Sequence, residues 1–105
     1  MFLIARIESE PVGCGAIRRL DDDTAEVKRM YVVPSARRRG IARRLLAELE
    51  RRAAEFGYRT LRLETGDLQI EAIALYESCA WGRIEAFGEY VGSPISVCFE
   101  KHLNS

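Results

Sequence analysis

The stretch "EVKRMYVVPSARRRGIARRLL", residues 26–46, changes its period halfway along. As far as Val33 it reads as a β-strand, and strict alternation puts Glu26, Lys28, Met30 and Val32 on one face. Val27, Arg29, Tyr31 and Val33 take the other. Pro34 stops the strand. From about Gly40 the apolar residues recur at helical spacing: Ile41, Leu45, Leu49, Ala53 and Phe56, with Leu46 widening the stripe. Arg44–Glu48, Glu48–Arg52 and Arg51–Glu55 are i,i+4 pairs on the wet side, and Gly57 is a natural C-cap. A strand therefore feeds a long helix through a loop of three arginines and a glycine.

The flanking sequence extends this pattern both ways. "FLIARIE" and "PVGCGAIRRL" read as two strands around a turn at Ser9–Pro11, and "LDDDTAE" is a polar turn into the third strand. After the helix, "YRTLRLE" is a fourth strand. Thr65–Gly66–Asp67 then turns into a second helix from about Gln69 to Ala80, whose "AIALY" is apolar nearly all round and predicts a well-buried element. "RIEAFG" and "SVCFEKHL" are two last strands. The order ββ-β-α-β-α-β-β predicts an α/β (α+β) sandwich: a mixed, mostly antiparallel sheet with two main helices. Residues 1–105 show no linker or repeat and form one domain of ordinary size.

Composition narrows the function classes. Sixteen basic and sixteen acidic residues give a formal net charge of zero, which argues against general binding to nucleic acid or anionic membrane. Cys14, Cys79 and Cys98 show no CxxC or metal-ligand spacing, and the single histidine, His102, stands near the C-terminus. The sequence thus offers no zinc site, disulfide framework or Cys–His dyad, and the cysteines read as reduced packing residues. The opening "MFLIARIE" has no basic leader and no segment is long enough to span a bilayer, so a cytoplasmic location fits best.

By themselves, Arg37, Arg38 and Arg39 suit a solvated loop, a nucleic-acid patch or a small-anion site. Gly40 and the helix after it favour the anion. A helix N-terminus presents unpaired N–H groups and about half a positive charge, and small Gly40 and Ala42 let a phosphate approach the backbone. The loop is not a P-loop, lacking Gly-Lys-Ser/Thr, and not a GxGxxG fingerprint.

Arg37-Arg38-Arg39-Gly40-Ile41-Ala42 resembles the Q/R-x-x-G-x-G/A signature of the GNAT superfamily of acyl-CoA-dependent N-acyltransferases. The "YVVP" strand directly before it and "ARRLLAELERRAAEFGY" directly after it strengthen the likeness. "QIEAIALYESCAW" is similar to the family's N-x-x-A-I-x-L-Y-x-x-x-G-F segment, with Gln69 at the Asn position, Tyr76 at the Tyr position, and Ala80–Trp81 in place of Gly–Phe. The likeness covers most of the chain in the right order.

The resemblance implies acetyl-CoA as co-substrate, a primary amine of a small molecule, amino acid or peptide as acceptor, no metal, and direct attack without a covalent enzyme intermediate. Backbone N–H groups from about Arg38 to Arg43, through Arg39, Gly40, Ile41 and Ala42, would cradle the pyrophosphate, and the arginine side chains could add charge. Met30, Tyr31, Val32 and Val33 would meet the pantetheine arm through main chain, with donors near Val32 on the thioester carbonyl. Gln69 and Tyr76 would complete the cofactor site. Tyr76 would protonate the departing thiolate, and Glu26 would accept the amine's proton on the face it shares with Val32. Glu64 is the reserve base, and Tyr90 and Ser96 are placed by position alone near the acceptor.

Relative to the family domain, the chain opens inside the second strand, without the usual N-terminal strand and helices. A fragment, a minimal enzyme and a protomer completed by its partner all fit, and the exposed first strand favours a homodimer. A CoA-binding module without efficient turnover is the alternative function.

Overall fold

The computed structural model describes residues 1–103. Its elements are β1 (Phe2–Ile7), β2 (Glu10–Arg19), β3 (Thr24–Val32), α1 (Ile41–Glu55), β4 (Thr60–Gly66), α2 (Ile70–Ser78), β5 (Gly82–Ile84) and β6 (Ser96–His102). Single 3-10 turns occupy Pro34–Ala36 and Gly88–Tyr90. The six strands form one sheet in the order β1-β2-β3-β4-β6-β5. Only β3 and β4 pair in parallel, so the sheet is mixed and mostly antiparallel, as the element order predicts.

Both helices lie on one face. Ile17, Ala25, Val27, Leu61, Leu63 and Phe99 from the strands close on Leu46, Leu49 and Ala53 of α1 and on Tyr76 of α2. Glycines in β2 bring α1 close to the sheet. A Cβ at Gly15 would stand 2.8 Å from both Leu49 Cδ1 and Met30 Sδ. Gly15→Val is expected to destabilise the fold by about 1–3 kcal/mol through overpacking, seen as a lower midpoint in a thermal melt. An unchanged midpoint would show that α1 can lift off β2 without cost. At the far end of α1, Gly57 (φ 94°) supplies the left-handed residue, and the Tyr58 N–H reaches back 3.1 Å to the Ala53 carbonyl. The helix ends as its sequence predicts.

Four local features depart from the sequence reading. The most consequential lies in β3, where Cys14 pairs with Tyr31 but Ala16 pairs with Lys28. Gly15 therefore faces two residues, Arg29 and Met30, and Arg29 sits at φ 59°. This is a β-bulge with a left-handed residue, and the Cys14 thiol donates to the bulged Arg29 carbonyl at 3.2 Å. It inverts the alternation. Ala25 and Val27 face α1 before the bulge, and Met30 and Val32 face it afterwards. Glu26 and Lys28 lie on the opposite face, so Glu26 does not share a face with Val32.

Second, α2 is not well buried: Tyr76 alone is buried, and Ile70 is 74% exposed. The helix borders an open cleft, so its apolar residues Ala72 and Leu75 line that cleft instead of a closed core. Third, β5 stops at Ile84, because the following loop leaves the sheet edge and folds over the face opposite the helices. There Phe87 lies under the Arg62 guanidinium and Tyr90 reaches Glu26. Fourth, Phe56 falls beyond the core stripe and is exposed, since α1 has already capped.

Candidate active site

The sheet opens at its centre. Pairing between β3 and β4 covers three positions, ending at Glu26 opposite Arg62. Beyond it β3 continues to Val32 and β4 to Gly66, with β4 held by β6 throughout. The Val33 N–H donates to the Val12 carbonyl at 2.8 Å. Strand alternation therefore turns the main-chain groups of Met30 and Val32 away from β2 and into the gap. The two strands form a V whose inner edge carries the main-chain groups of Met30 and Val32, with the Val32 carbonyl taken by Arg37 Nε.

A cleft of about 380 Å³ runs from this V along the starts of α1 and α2. Its walls include Met30, Tyr31, Val32, Arg37, Arg38, Gly40, Ile41, Ala42, Arg43, Gln69 and Tyr76. Eleven of the thirteen residues expected to hold a cofactor are thus brought together. Val33 and Arg39 are the two that stand outside the lining. Val33 is turned away by its bond to Val12, and Arg39 projects into solvent. Ala36, Glu71, Ala72 and Leu75 complete the walls. Sequence reasoning missed these four, although the i,i+3,i+4 spacing of Ala72, Leu75 and Tyr76 would have placed them on one helix face.

The turn before α1 is built to receive an anion. Arg44 N–H makes the first bond of the helix, to the Gly40 carbonyl at 3.0 Å. Among the described residues, the backbone N–H groups of Arg38, Arg39, Gly40, Ile41, Ala42 and Arg43 have no protein acceptor. Arg38 at φ 67° and Gly40 at φ 75° alternate with right-handed or extended neighbours, the pattern that makes a concave nest of donors. No side chain caps the helix and its first turn holds no acid. Arg43 and Arg44 instead place positive charge at the positive end of the helix dipole, an unfavourable arrangement that a bound anion offsets.

The three loop arginines and Arg43 play separate parts. Arg37 Nε donates to the Val32 carbonyl at 2.9 Å and its guanidinium stacks on Tyr31, bracing the loop against the V. Arg38 reaches across the cleft mouth to within 3.9 Å of Glu71, and both are largely exposed. Arg43 turns its side chain to Ser78 Oγ (2.9 Å) and Cys79 Sγ (3.2 Å), tying α1 to the end of α2. Its contribution to the nest is its backbone N–H. Gln69 stands at the start of α2 without capping it.

Tyr76 is wedged between Trp81 and Phe99, at ring-centroid distances of 6.2 and 5.6 Å. The turn after α2 fixes it: Trp81 N–H bonds the Tyr76 carbonyl at 3.0 Å, and Ala80 adopts φ 68° where the family segment has glycine. Its hydroxyl has no protein partner among the described residues and is not sealed, so it opens on the cleft. Burial pushes the phenol's pKa above its ordinary value, so it stays protonated at neutral pH.

Glu26 lies at the vertex of the V on the opposite face, 1% exposed. Tyr90 Oη donates to its Oε2 at 2.6 Å and Arg18 Nη2 to its Oε1 at 3.3 Å. Glu64, two residues past the vertex on β4, accepts from Ser96 Oγ at 2.7 Å. Among the described residues no group of three or more His, Cys, Asp or Glu side chains gathers as a metal site, and no helix is long and apolar enough to cross a membrane.

A mixed sheet split at its centre, with an anion-receptive turn leading into the helix beside the split, defines an acetyltransferase fold. A model of the GNAT acetyltransferase family matches residues 1–81. An IAA acetyltransferase of Azospirillum brasilense is 44% identical over 103 residues, covering 97% of this chain and 67% of that protein. A Klebsiella pneumoniae structure, solved as an acyl-CoA N-acyltransferase, superposes with a TM-score of 0.93 at 41% identity, over 98% of this chain and 72% of its own. A GNAT acetyltransferase of Elizabethkingia anophelis with acetyl-CoA bound shares the fold at a TM-score of 0.85 and 19% identity, over 97% and 75%. The chain belongs to the GNAT acetyltransferase family. It spans between 44% and 67% of the length of the curated relatives it matches.

Proposed function

We propose that the protein is an N-acetyltransferase that moves an acetyl group from acetyl-CoA to a primary amine of a small molecule, amino acid or peptide. The observation that carries this reading is the run of unpaired N–H groups around the start of α1, where Arg38, Gly40, Ile41, Ala42 and Arg43 line the same cleft as Tyr76 and the edge of β3. A pyrophosphate suits the nest. An extended amide-bearing arm suits the backbone edge of the V, pairing there as an added strand would. The Elizabethkingia protein of the same fold was solved with acetyl-CoA bound, which supports acetyl-CoA as the donor.

In this reading Arg38, Arg39, Gly40, Ile41, Ala42 and Arg43 bind the pyrophosphate through main chain, and Arg37 keeps the loop in register. Val32 N–H polarises the thioester carbonyl. The amine attacks from the Glu26 side of the sheet while the thiolate leaves on the Tyr76 side, where the phenol protonates it. Acid and base thus act on opposite faces of one gap, which suits a direct displacement. Glu26 is the final acceptor of the amine's proton.

The sealed state of Glu26 favours a second reading, a CoA-binding module with little turnover. Titration calorimetry with acetyl-CoA, paired with a free-thiol assay across a panel of primary amines, separates the two. Micromolar binding and amine-dependent thiol release are expected. Binding with no release for any amine would leave the module, and no binding at all would sink both.

A further inference from the structure

The Glu26 carboxylate has both oxygens occupied and 1% of its surface open. A base in that state cannot touch the nitrogen of a second molecule. Tyr90 can, because its ring is half-buried at the surface of the loop and its hydroxyl already rests on Oε2. We propose that Tyr90 is the group that meets the acceptor amine, and that the proton reaches Glu26 through it. This rests on the transferase reading and on Glu26 as the final proton acceptor.

The loop is fastened so as to hold that phenol in place. The 3-10 turn closes through the Tyr90 N–H on the Phe87 carbonyl at 3.0 Å. Phe87 meets the Tyr90 ring edge-on, with centroids 5.3 Å apart and planes at 78°, and carries the Arg62 guanidinium at 5.5 Å. On the other side Lys28 Nζ pairs with Glu89 at 3.2 Å and lies 6.0 Å from the Tyr90 centroid. Three residues from β3 and β4 (Glu26, Lys28 and Arg62) thus grip one short turn, at the vertex where the strands part.

The transfer balances without a further reagent. The alkylammonium gives one proton to Tyr90 Oη while the phenol proton passes to Glu26 Oε2, and the freed nitrogen lone pair bonds the thioester carbon; the proton left over on the adduct nitrogen passes to water. The phenol emerges unchanged and Glu26 emerges as the neutral acid. The C–S bond breaks and the thiolate takes the Tyr76 proton. After release, Glu26 gives its proton back through Tyr90 to water and Tyr76 regains one. The two proton movements are concerted for a physical reason. Burial, together with the adjacent Glu26 carboxylate, raises the Tyr90 pKa above that of an ordinary phenol, so no free tyrosinate precedes attack.

The test compares wild type, Tyr90→Phe, Glu26→Gln and the double variant. Acceptors are a primary alkylamine active in the panel and the much less basic hydrazide of the same carbon skeleton. A relay serves the amine that must shed a strongly held proton. Tyr90→Phe is therefore expected to lower kcat about a hundredfold with the alkylamine, within the usual range for proton-transfer catalysis, and by a far smaller factor with the hydrazide. The double variant is expected to be no slower than either single one. Calorimetric affinity for acetyl-CoA, which also reports an intact fold, stays at the wild-type value, and Tyr90→His, whose ring can take and give a proton, recovers part of the rate. Equal losses with both acceptors, multiplying losses in the double variant, or a wild-type rate in Tyr90→Phe would each overturn the relay. If Tyr90→Phe does not fold, the Tyr90→His rate and the acceptor dependence of Glu26→Gln decide the matter in the same way. Wild-type turnover in Glu26→Gln removes Glu26 as proton acceptor and the relay with it, leaving acetyl transfer standing. No thiol release from wild type with any amine overturns the transferase reading itself.

Discussion

Gly40→Glu is expected to abolish acetyl-CoA binding in calorimetry while lowering the melting midpoint by only about 4 °C. Gly40 has φ 75°, and a Cβ built on it meets nothing within 4 Å. The substitution therefore does not collide with the protein. It does force a side chain into a left-handed backbone, at roughly 1 kcal/mol. It also places a carboxylate among the donors from Arg38 to Arg43, where the pyrophosphate would sit. Truncating or opposing one partner of a charged pair costs about 2–5 kcal/mol in binding, or roughly thirty- to several-thousandfold in affinity. Gly40→Ala separates the two effects, since it carries the strain without the charge, and should weaken binding by less than about tenfold. Equal affinities for Gly40→Glu and wild type would move the pyrophosphate elsewhere.

Tyr76→Phe should act in the opposite manner, sparing binding and lowering turnover. The ring contacts with Trp81 and Phe99 survive, and the lost hydroxyl has no protein partner among the described residues, so neither packing nor a hydrogen bond is sacrificed. General-acid assistance is worth about 10²–10⁴-fold, and a fall of kcat by at least about a hundredfold is expected, with acetyl-CoA affinity within twofold (about 0.4 kcal/mol). The pH profile gives a second check. Because burial raises the pKa of this phenol, the acid stays loaded as pH rises through neutrality and fails only above the ordinary phenol range. That basic limb is expected to vanish in the variant. An unchanged kcat would take Tyr76 out of the acid role.

Much of this architecture is legible from local chemistry. The switch from strand to helical period across Pro34 and Gly40, the Gly57 cap and the apolar stripe of α1 are each set by neighbours in sequence, and the structure bears them out. The cleft beside α1 is legible for a related reason: backbone donors follow from helix geometry, and side-chain detail adds little. What alternation alone cannot reveal is the bulge at Arg29. Arg29 is not a glycine, so no residue type announces the left-handed conformation. Its cause is tertiary: Gly15 opposite, without a side chain, leaves room for two residues against one. The same holds for Tyr90. Its loop carries no motif, and only the folding of residues 85–95 across the sheet brings a phenol sixty-four positions along the chain onto Glu26. The exposure of α2 is likewise a property of the open cleft and not of its own composition.

The bulge sets a limit on how this stretch of chain can change in length. Loops accept insertions and deletions because nothing downstream depends on their count. Between Glu26 and Val32 the count matters, and the bulge gives it one residue of slack. Remove Arg29 and regular alternation runs from Val27 through Met30 to Val32, so the same side chains stay in the core while the Cys14 thiol loses its acceptor. Remove a second residue, or add one beyond the bulge, and the tail of β3 turns over: Met30 and Val32 leave the core and Tyr31 enters it. The length of this strand should therefore vary by the bulge residue alone.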